Sequence, residues 1–473
     1  MKTLFYSLSL SVLFLISSCQ TQDDLHVPKN LDSRNFVWKG MNLYYLWQDQ
    51  VTNLNDNRFA NQSELNNFLS QYDSPNSLFQ SLKVPTTLDR FSVIFEDYNQ
   101  LEGILSGKTL NNGLDFSLRF KNGSATEIFG WARYILPNSD AALKNVSRGT
   151  IFYAVNGTPL NTSNYQQLLN QTAYTLNLAT YQNGIIIPNG QSVTLTKSSL
   201  SENPVYLAKS ITLGNKKVGY LLYNGFYPNF ETQLNQAIIS LKAENCTDIV
   251  LDLRYNSGGS IATATRLASM LTGQFNNQIF AKEQWNDKLQ VYWESNNPNQ
   301  LVNNFTTSLN NGSSISGLNL SKLYILTSKS TASASELVIN GLKPYIQIVQ
   351  IGDVTTGKNV GSITLYDSPS FKKQGSSANH KYAMQPIVLK TTNKAGFGDY
   401  QQGLPADIYL QENLENLGIL GEVSEPLLQK ALQQISLGGK FKEKKTNSIF
   451  ENLEFSNSKK MQPLQTEMYS DFK

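Results

Sequence analysis

An α/β architecture in three successive parts is what this sequence predicts, and three patterns predict it. Val37, Met41, Tyr44 and Tyr45 recur at helical spacing in the first part. From about residue 108 to 205, short β-like runs alternate with Asn, Gly and Pro turns. From about 206 onward, apolar strand patterns alternate with helical ones, the order from which parallel sheets are built.

The elements follow in chain order. Lys2, the apolar stretch Leu4 to Ile16 and the small residues Ser17 and Ser18 resemble a secretory signal, too short to span a bilayer comfortably. Ile16-Ser17-Ser18-Cys19 resembles the bacterial lipobox, whose cysteine becomes the lipidated first residue. The expectation is a leader over 1–18, a tether over 19–33, and acyl chains on Cys19 holding a soluble body to the membrane. Gln20 to Asp24 is similar to an acidic export tag, which points to the bacterial cell envelope, at the outer membrane and its surface. A plain signal peptide that contains a cysteine is the alternative. Ser33 is expected to cap the first helix of a helical unit over 34–105. A β-rich unit covers 106–205, in which Asn156-Gly157 marks a tight turn after Ile151–Val155. The α/β core covers 206–437. One unit there is the strand 248–253, a Gly-Gly loop, and a helix with Ala264, Leu267, Ala268 and Leu271 on one face. A second is the strand 323–327, a serine-rich loop, and a helix from about Ala334 to Leu342. The remainder, 438–473, is polar, carries the solvated cluster Lys440, Lys442, Lys444 and Lys445, and is expected to lack regular structure.

Charge and rare residues narrow the chemistry. Thirty-nine basic residues against 36 acidic ones give +3, no reason to expect a nucleic-acid partner. With Cys19 acylated, Cys246 has no disulfide partner and reads as a small buried hydrophobe. The two histidines, His26 and His380, form no HExxH or His/Cys pattern, so neither metal nor cofactor is expected.

Both strand–loop–helix units put small residues at a helix N-terminus, where free amides and the positive end of the dipole face outward. In the loop Ser330 to Glu336, Ser333 could present its hydroxyl while the next amide faces the same space, an arrangement suited to acyl transfer; a plain helix cap is the other reading. Lys358 ends the Gly/Thr loop 352–358. If desolvated, its amine can act as a base near neutral pH.

Three motifs in order then carry a resemblance: Asp252-Leu253-Arg254-Tyr255-Asn256-Ser257-Gly258-Gly259, Ala332-Ser333-Ala334-Ser335-Glu336, and Gly357-Lys358. Together with the 25-residue step from Ser333 to Lys358 and the segment Gly403 to Asp407, they resemble the carboxyl-terminal processing (tail-specific) serine proteases over about 206–415. The resemblance implies a crotonase/ClpP-like α/β protease core preceded by a PDZ-like domain. It implies Ser333 as nucleophile, Lys358 as base, the amides of Gly259 and Ala334 as oxyanion hole, and Glu336 and Thr355 as supports. Polypeptides would be the substrates. Two departures stand out: Ser362 occupies the position of the family's orienting glutamine, with Asn359 another candidate for that task, and Pro344 replaces an aspartate. Over 106–205, Gly113-Leu114-Asp115-Phe116 is similar to the PDZ carboxylate loop, making Leu114, Asp115 and Phe116 the peptide-binding candidates. Asp115 stands where the family has glycine, a charge set against a peptide carboxylate. A catalytically weak or inactive peptide-binding scaffold lipoprotein remains the alternative. A phosphate-cradling reading of 256–259 lacks the required glycine and lysine spacing.

Overall fold

A computed structural model describes residues 27–437, 453–464 and 466–471. Cys19, most of its tether and the lysine cluster lie outside the described residues.

The core is built as its sequence dictates. Near-continuous apolar strands, flanked by helices, belong in the middle of a parallel sheet covered on both faces. The six strands run Val205–Leu213, Lys216–Tyr223, Asp248–Asp252, Lys322–Thr327, Gln347–Gly352 and Ile408–Tyr409, antiparallel only in the first pair. Helices Ile261–Thr272 and Ala334–Leu342 pack on one face through Leu267, Leu271, Leu337 and Val338. Pro426–Ser436 seals the other through Leu428, Ala431 and Ile435. The helical N-terminal unit joins the first of these cores rather than forming its own: Phe36, Val37 and Met41 share a continuous cluster with Leu251 and Ile325. Its first helix, Asp32–Tyr44, starts before Ser33, so Ser33 lies within the first turn and Leu31 takes the cap position.

The β-rich unit forms a sheet of Glu454–Asn457, Leu114–Phe120, Ile128–Ile135, Ile151–Val155, Ala173–Gln182 and Ile185–Thr196. Asn156 (φ 50°) and Gly157 (φ 79°) make the sharp turn that precedes Thr158–Pro159, both with the positive φ that such a hairpin demands. A second six-stranded sheet runs Gly259–Ser260, Met468–Tyr469, Val360–Ser362, Ile387–Asn393, Ile279–Trp285 and Val302–Asn304.

The C-terminal stretch departs from expectation. Instead of lacking regular structure, it supplies Glu454–Asn457 to the β-rich sheet and Met468–Tyr469 to the interior of the second sheet. Its strands are two to four residues long and borrow partners hundreds of residues away, which no local pattern announces.

Candidate active site

Three loops at the C-terminal ends of the core strands converge. After Asp252 the chain turns through Asn256, whose side-chain carbonyl accepts from Gly258 N–H (2.9 Å) and whose amide donates to the Tyr223 carbonyl (2.8 Å). Gly258 (φ 119°) and Gly259 (φ 138°) hold backbone that side chains rarely adopt. A Cβ on Gly258 would lie 2.6 Å from Ser333 Cβ, so only glycine lets the two loops meet. The main-chain carbonyl of Asn256 accepts from Ala332 N–H (3.1 Å) and from Ser335 Oγ (3.2 Å), tying the glycine loop to the serine loop.

Ser333 is fully buried at the N-terminus of Ala334–Leu342 with φ 64°, a strained left-handed value in a non-glycine residue. Its Oγ has no hydrogen-bond partner among the described residues. The strain has a visible cause. Glu336, one turn into the helix, takes Ser333 N–H on Oε2 (2.7 Å) and so turns the backbone inward. The same oxygen accepts from Lys358 N–H (2.9 Å), and Oε1 accepts from Gly357 N–H (2.7 Å) and Thr355 Oγ1 (2.5 Å). One buried carboxylate therefore fixes the serine loop against the lysine loop with four charge-assisted bonds. Burial raises the Glu336 pKa, opposed by these donors. Thr356 N–H to the Thr331 carbonyl (2.9 Å) adds a further tie, and Leu404 N–H donates to Thr355 Oγ1 (2.7 Å).

The Lys358 amine is buried, and burial pulls its pKa down to about 8, against the opposing pull of Glu467, Asp89 and Glu336. Much of its cover comes from the N-terminal unit, which sequence reasoning treated as packing alone. The Phe91 ring lies 4.5 Å from Nζ, Arg90 donates to the Gly357 carbonyl (3.4 Å), and Asp89 is buried beneath. Asp89 accepts from Tyr45 and from the amides of Phe91 and Ser92, which fixes this loop over the lysine. No residue pattern near 89–92 flags such a role; only the fold brings it there.

The remaining predicted residues fall as follows. Ser362 lies beyond the lysine, its hydroxyl receiving the side-chain amide of Gln385 (3.1 Å) and donating to the Met468 carbonyl (3.2 Å). A glutamine thus does reach this position, from a different strand. Asn359 donates instead to the Gly398 carbonyl (2.5 Å), turned away from the amine. Leu114 and Phe116 are buried in the interior of the β-rich unit. Asp115 is paired with a cation: Arg133 Nε donates to it at 2.5 Å, and Arg133 also donates to Ser330 Oγ (2.8 Å), three residues before Ser333. His380 pairs with Asp367 (2.8 Å) on a separate loop. Cys246 is buried, and burial raises its thiol pKa, which disfavours the reactive thiolate. No cluster of metal-ligating side chains occurs among the described residues, and none of their helices is long and apolar enough to cross a membrane.

Chemically, the site offers an unpartnered buried hydroxyl, a desolvated amine across a shared carboxylate, and a glycine amide facing the same space. Gly259 N–H donates at 2.6 Å to a peptide carbonyl, that of Glu467, and the amine donates to the Thr466 carbonyl (2.5 Å). No hydrogen bond joins Ser333 Oγ to Lys358 Nζ among the described residues. A neutral amine holding one carbonyl still keeps a lone pair with which to take a proton.

Comparison with known proteins relates the chain to one peptidase family. Residues 217–372 match the model of peptidase family S41, and 32–93 match the peptidase S41 N-terminal domain. Over 177 residues the chain is 29% identical to carboxyl-terminal-processing peptidase 2, chloroplastic, of Arabidopsis thaliana, covering 36% of this chain and 30% of that protein. Over 170 residues it is 25% identical to a carboxyl-terminal-processing protease of a Picosynechococcus species, covering 36% of each. The chain thus spans about a third of the length of these curated relatives. A crystal structure from Bacteroides fragilis assigned to the S41 proteases superposes with a TM-score of 0.65 at 25% identity, over 85% of this chain and 97% of that one.

Proposed function

We propose that this chain, which carries domains of peptidase family S41, is a serine endopeptidase in which Ser333 attacks and Lys358 is the general base. The observation that carries the reading is the Glu336 carboxylate, which binds the nucleophile's own amide and the amides of Gly357 and Lys358 at once. A structural salt link would need no strained serine beside it, and a simple helix cap would not reach across to a second loop. In the resting enzyme the buried amine is neutral above about pH 8. It takes the serine proton as Oγ bonds to a peptide carbonyl carbon, whose oxygen is received by the amides of Gly259 and Ala334. Lys358 then hands the proton to the leaving amine, and water resolves the ester by the reverse path.

The β-rich unit acts as a PDZ-like peptide groove along Leu114–Phe120, taking an added antiparallel strand. Lipid on Cys19 anchors the body in the bacterial cell envelope, where exposed polypeptides are the substrates; Cys19→Ser should leave the membrane fraction with its turnover intact. The dyad is tested on an unfolded model protein. Ser333→Ala and Lys358→Ala should each lose on the order of 10⁴-fold or more, and the double variant no more than either alone. A Lys358→Ala enzyme that keeps near-native turnover would remove the base assignment.

A further inference from the structure

The chain's own C-terminal segment occupies the two places where a substrate would lie. Glu454–Asn457 pairs antiparallel with Leu114–Phe120, and Phe455 packs between Phe120 and Tyr165, each 5.2 Å between ring centroids. Ser458 then meets the loop at the groove's end: its amide donates to the Phe116 carbonyl (2.9 Å) and its hydroxyl to Asp115 (2.8 Å). Lys459 crosses toward the cleft, donating to the carbonyls of Asn224 (2.8 Å) and Tyr255 (3.0 Å). Farther on, Met468–Tyr469 runs parallel to Gly259–Ser260 on one side and pairs with Ser362 on the other.

The register in the cleft sets one backbone carbonyl of this segment beside Ser333. The Glu467 carbonyl sits on Gly259 N–H (2.6 Å), the place assigned to the oxyanion. A Cβ on Gly258 would lie 2.0 and 3.1 Å from the oxygen and carbon of that carbonyl and 2.6 Å from Ser333 Cβ, so the carbonyl and the nucleophile's side chain flank the same point. On the N-terminal side of this carbonyl, Thr466 holds the Lys358 amine. Beyond it, Ser362 Oγ holds the Met468 carbonyl, and Ser470 N–H donates to the Ser362 carbonyl (3.0 Å). The bond from Gly259 N–H to the Glu467 carbonyl is the ordinary ladder bond of the parallel pair Gly259 and Met468; what sets this strand apart is that its carbonyl lies on the glycine amide next to a buried Ser333 hydroxyl that has no partner among the described residues.

We infer that the Glu467–Met468 peptide bond is the first substrate of Ser333, presented in cis by the C-terminal segment, which blocks the cleft until it is cut. The inference rests on the serine-protease reading above. Ser333 Oγ bonds to the Glu467 carbonyl carbon as its proton passes to Lys358 Nζ, and the oxyanion stays on Gly259 N–H. The carbon–nitrogen bond to Met468 breaks, the lysine returning its proton to the new amine of Met468. Water then adds to the Ser333–Glu467 ester, one of its protons restoring the serine hydroxyl by way of Lys358. The products are a chain ending in the Glu467 carboxylate and a peptide beginning at Met468. Because the bond is tethered, its effective concentration does not depend on how much protein is present.

The test follows the intact mass of the full purified chain over time, with a parallel assay on an unfolded protein added in trans. The expected result is conversion of the wild type to a species ending at Glu467, with a rate constant unchanged by tenfold dilution, a full-length Ser333→Ala control, and turnover in trans that rises as trimming proceeds. Wild type that digests the added protein while keeping its full mass would overturn the inference and leave the protease reading standing. Trimming at another bond, or trimming that slows on dilution, would overturn it as well. A wild type that neither trims itself nor digests anything would take down the protease reading and the inference together.

Discussion

Lys358 is the residue whose state decides the rest. As the proposed base, its amine has to be neutral to accept the serine proton, and burial pulls its pKa from 10.5 to about 8. Turnover should therefore rise with pH through about 8 and level off above it, measured as kcat/KM between pH 6 and 10. Phe91 contributes two opposed effects. Its ring favours the charged amine by about 2 kcal/mol as a desolvated cation–π partner, while its bulk keeps water off. A fall of this size corresponds to about 3 kcal/mol, so desolvation dominates. Phe91→Ala should move the midpoint upward, toward an ordinary lysine; a downward shift would show that the ring acts chiefly through its π face. Glu336 is held by four donors from two loops. Glu336→Ala should cost about 3 kcal/mol in urea unfolding, since hydrogen bonds to charged groups are worth about 1.5–3 kcal/mol each and orphaned donors cost more. It should also release the serine from its strained φ and lower activity with it.

At the scale of elements, the parts that local pattern controls were legible. Helix Ala334–Leu342 and the strands at 248 and 323 come from runs of apolar residues that can only be buried, and their loops carry Ser333 and the paired glycines. What was not legible depends on distant partners. Residues 89–92 have no composition that speaks of a lysine more than 250 positions away, and Gln385 reaches Ser362 only because Ala383–Gln385 is folded beside it. The strands at 454 and 468 are too short for a periodicity to register, so a polar composition concealed them. Gly258 was read from a motif, and the structure supplies the physical reason for it. Its φ is 119°, and the Glu467 carbonyl oxygen lies 2.0 Å from the point a Cβ would occupy, which leaves no space for a side chain. Gly258→Ala should fold with a lowered Tm but lose at least about 10²-fold in kcat, comparable to the loss of an oxyanion donor; near-normal kcat would mean that substrate carbonyls bind elsewhere.

For the molecule as a whole, the β-rich unit meets the core through the arginine of a charge pair buried within that unit. Arg133 bonds to Asp115 at the groove's end and to Ser330 in the nucleophile loop, with its guanidinium 4.8 Å from the Tyr255 ring centroid. Arg133→Met would leave Asp115 uncompensated and should destabilise by about 3–5 kcal/mol, whereas Arg133→Met with Asp115→Leu should recover most of that loss. If the double variant is stable yet slow in kcat, the pair also transmits groove occupancy to Ser333; if it is stable and fast, the pair is a joint and nothing more. The course of the C-terminal segment has one more consequence. It enters the groove beside Arg119, leaves it at Phe116, and arrives at Ser333 later in its sequence. Gly113, Leu114 and Asp115 line one cavity with Ser257 and Glu467, so the groove's loop end is the end that opens on the cleft. On the proposed reading, a polypeptide threaded along the same track would be gripped first by an upstream stretch and severed downstream, and its last residue would never have to be found. Such an enzyme would take hold of a slack loop in mid-chain as readily as a loose end, and amidating a substrate's terminus would make no difference to how fast it is cut.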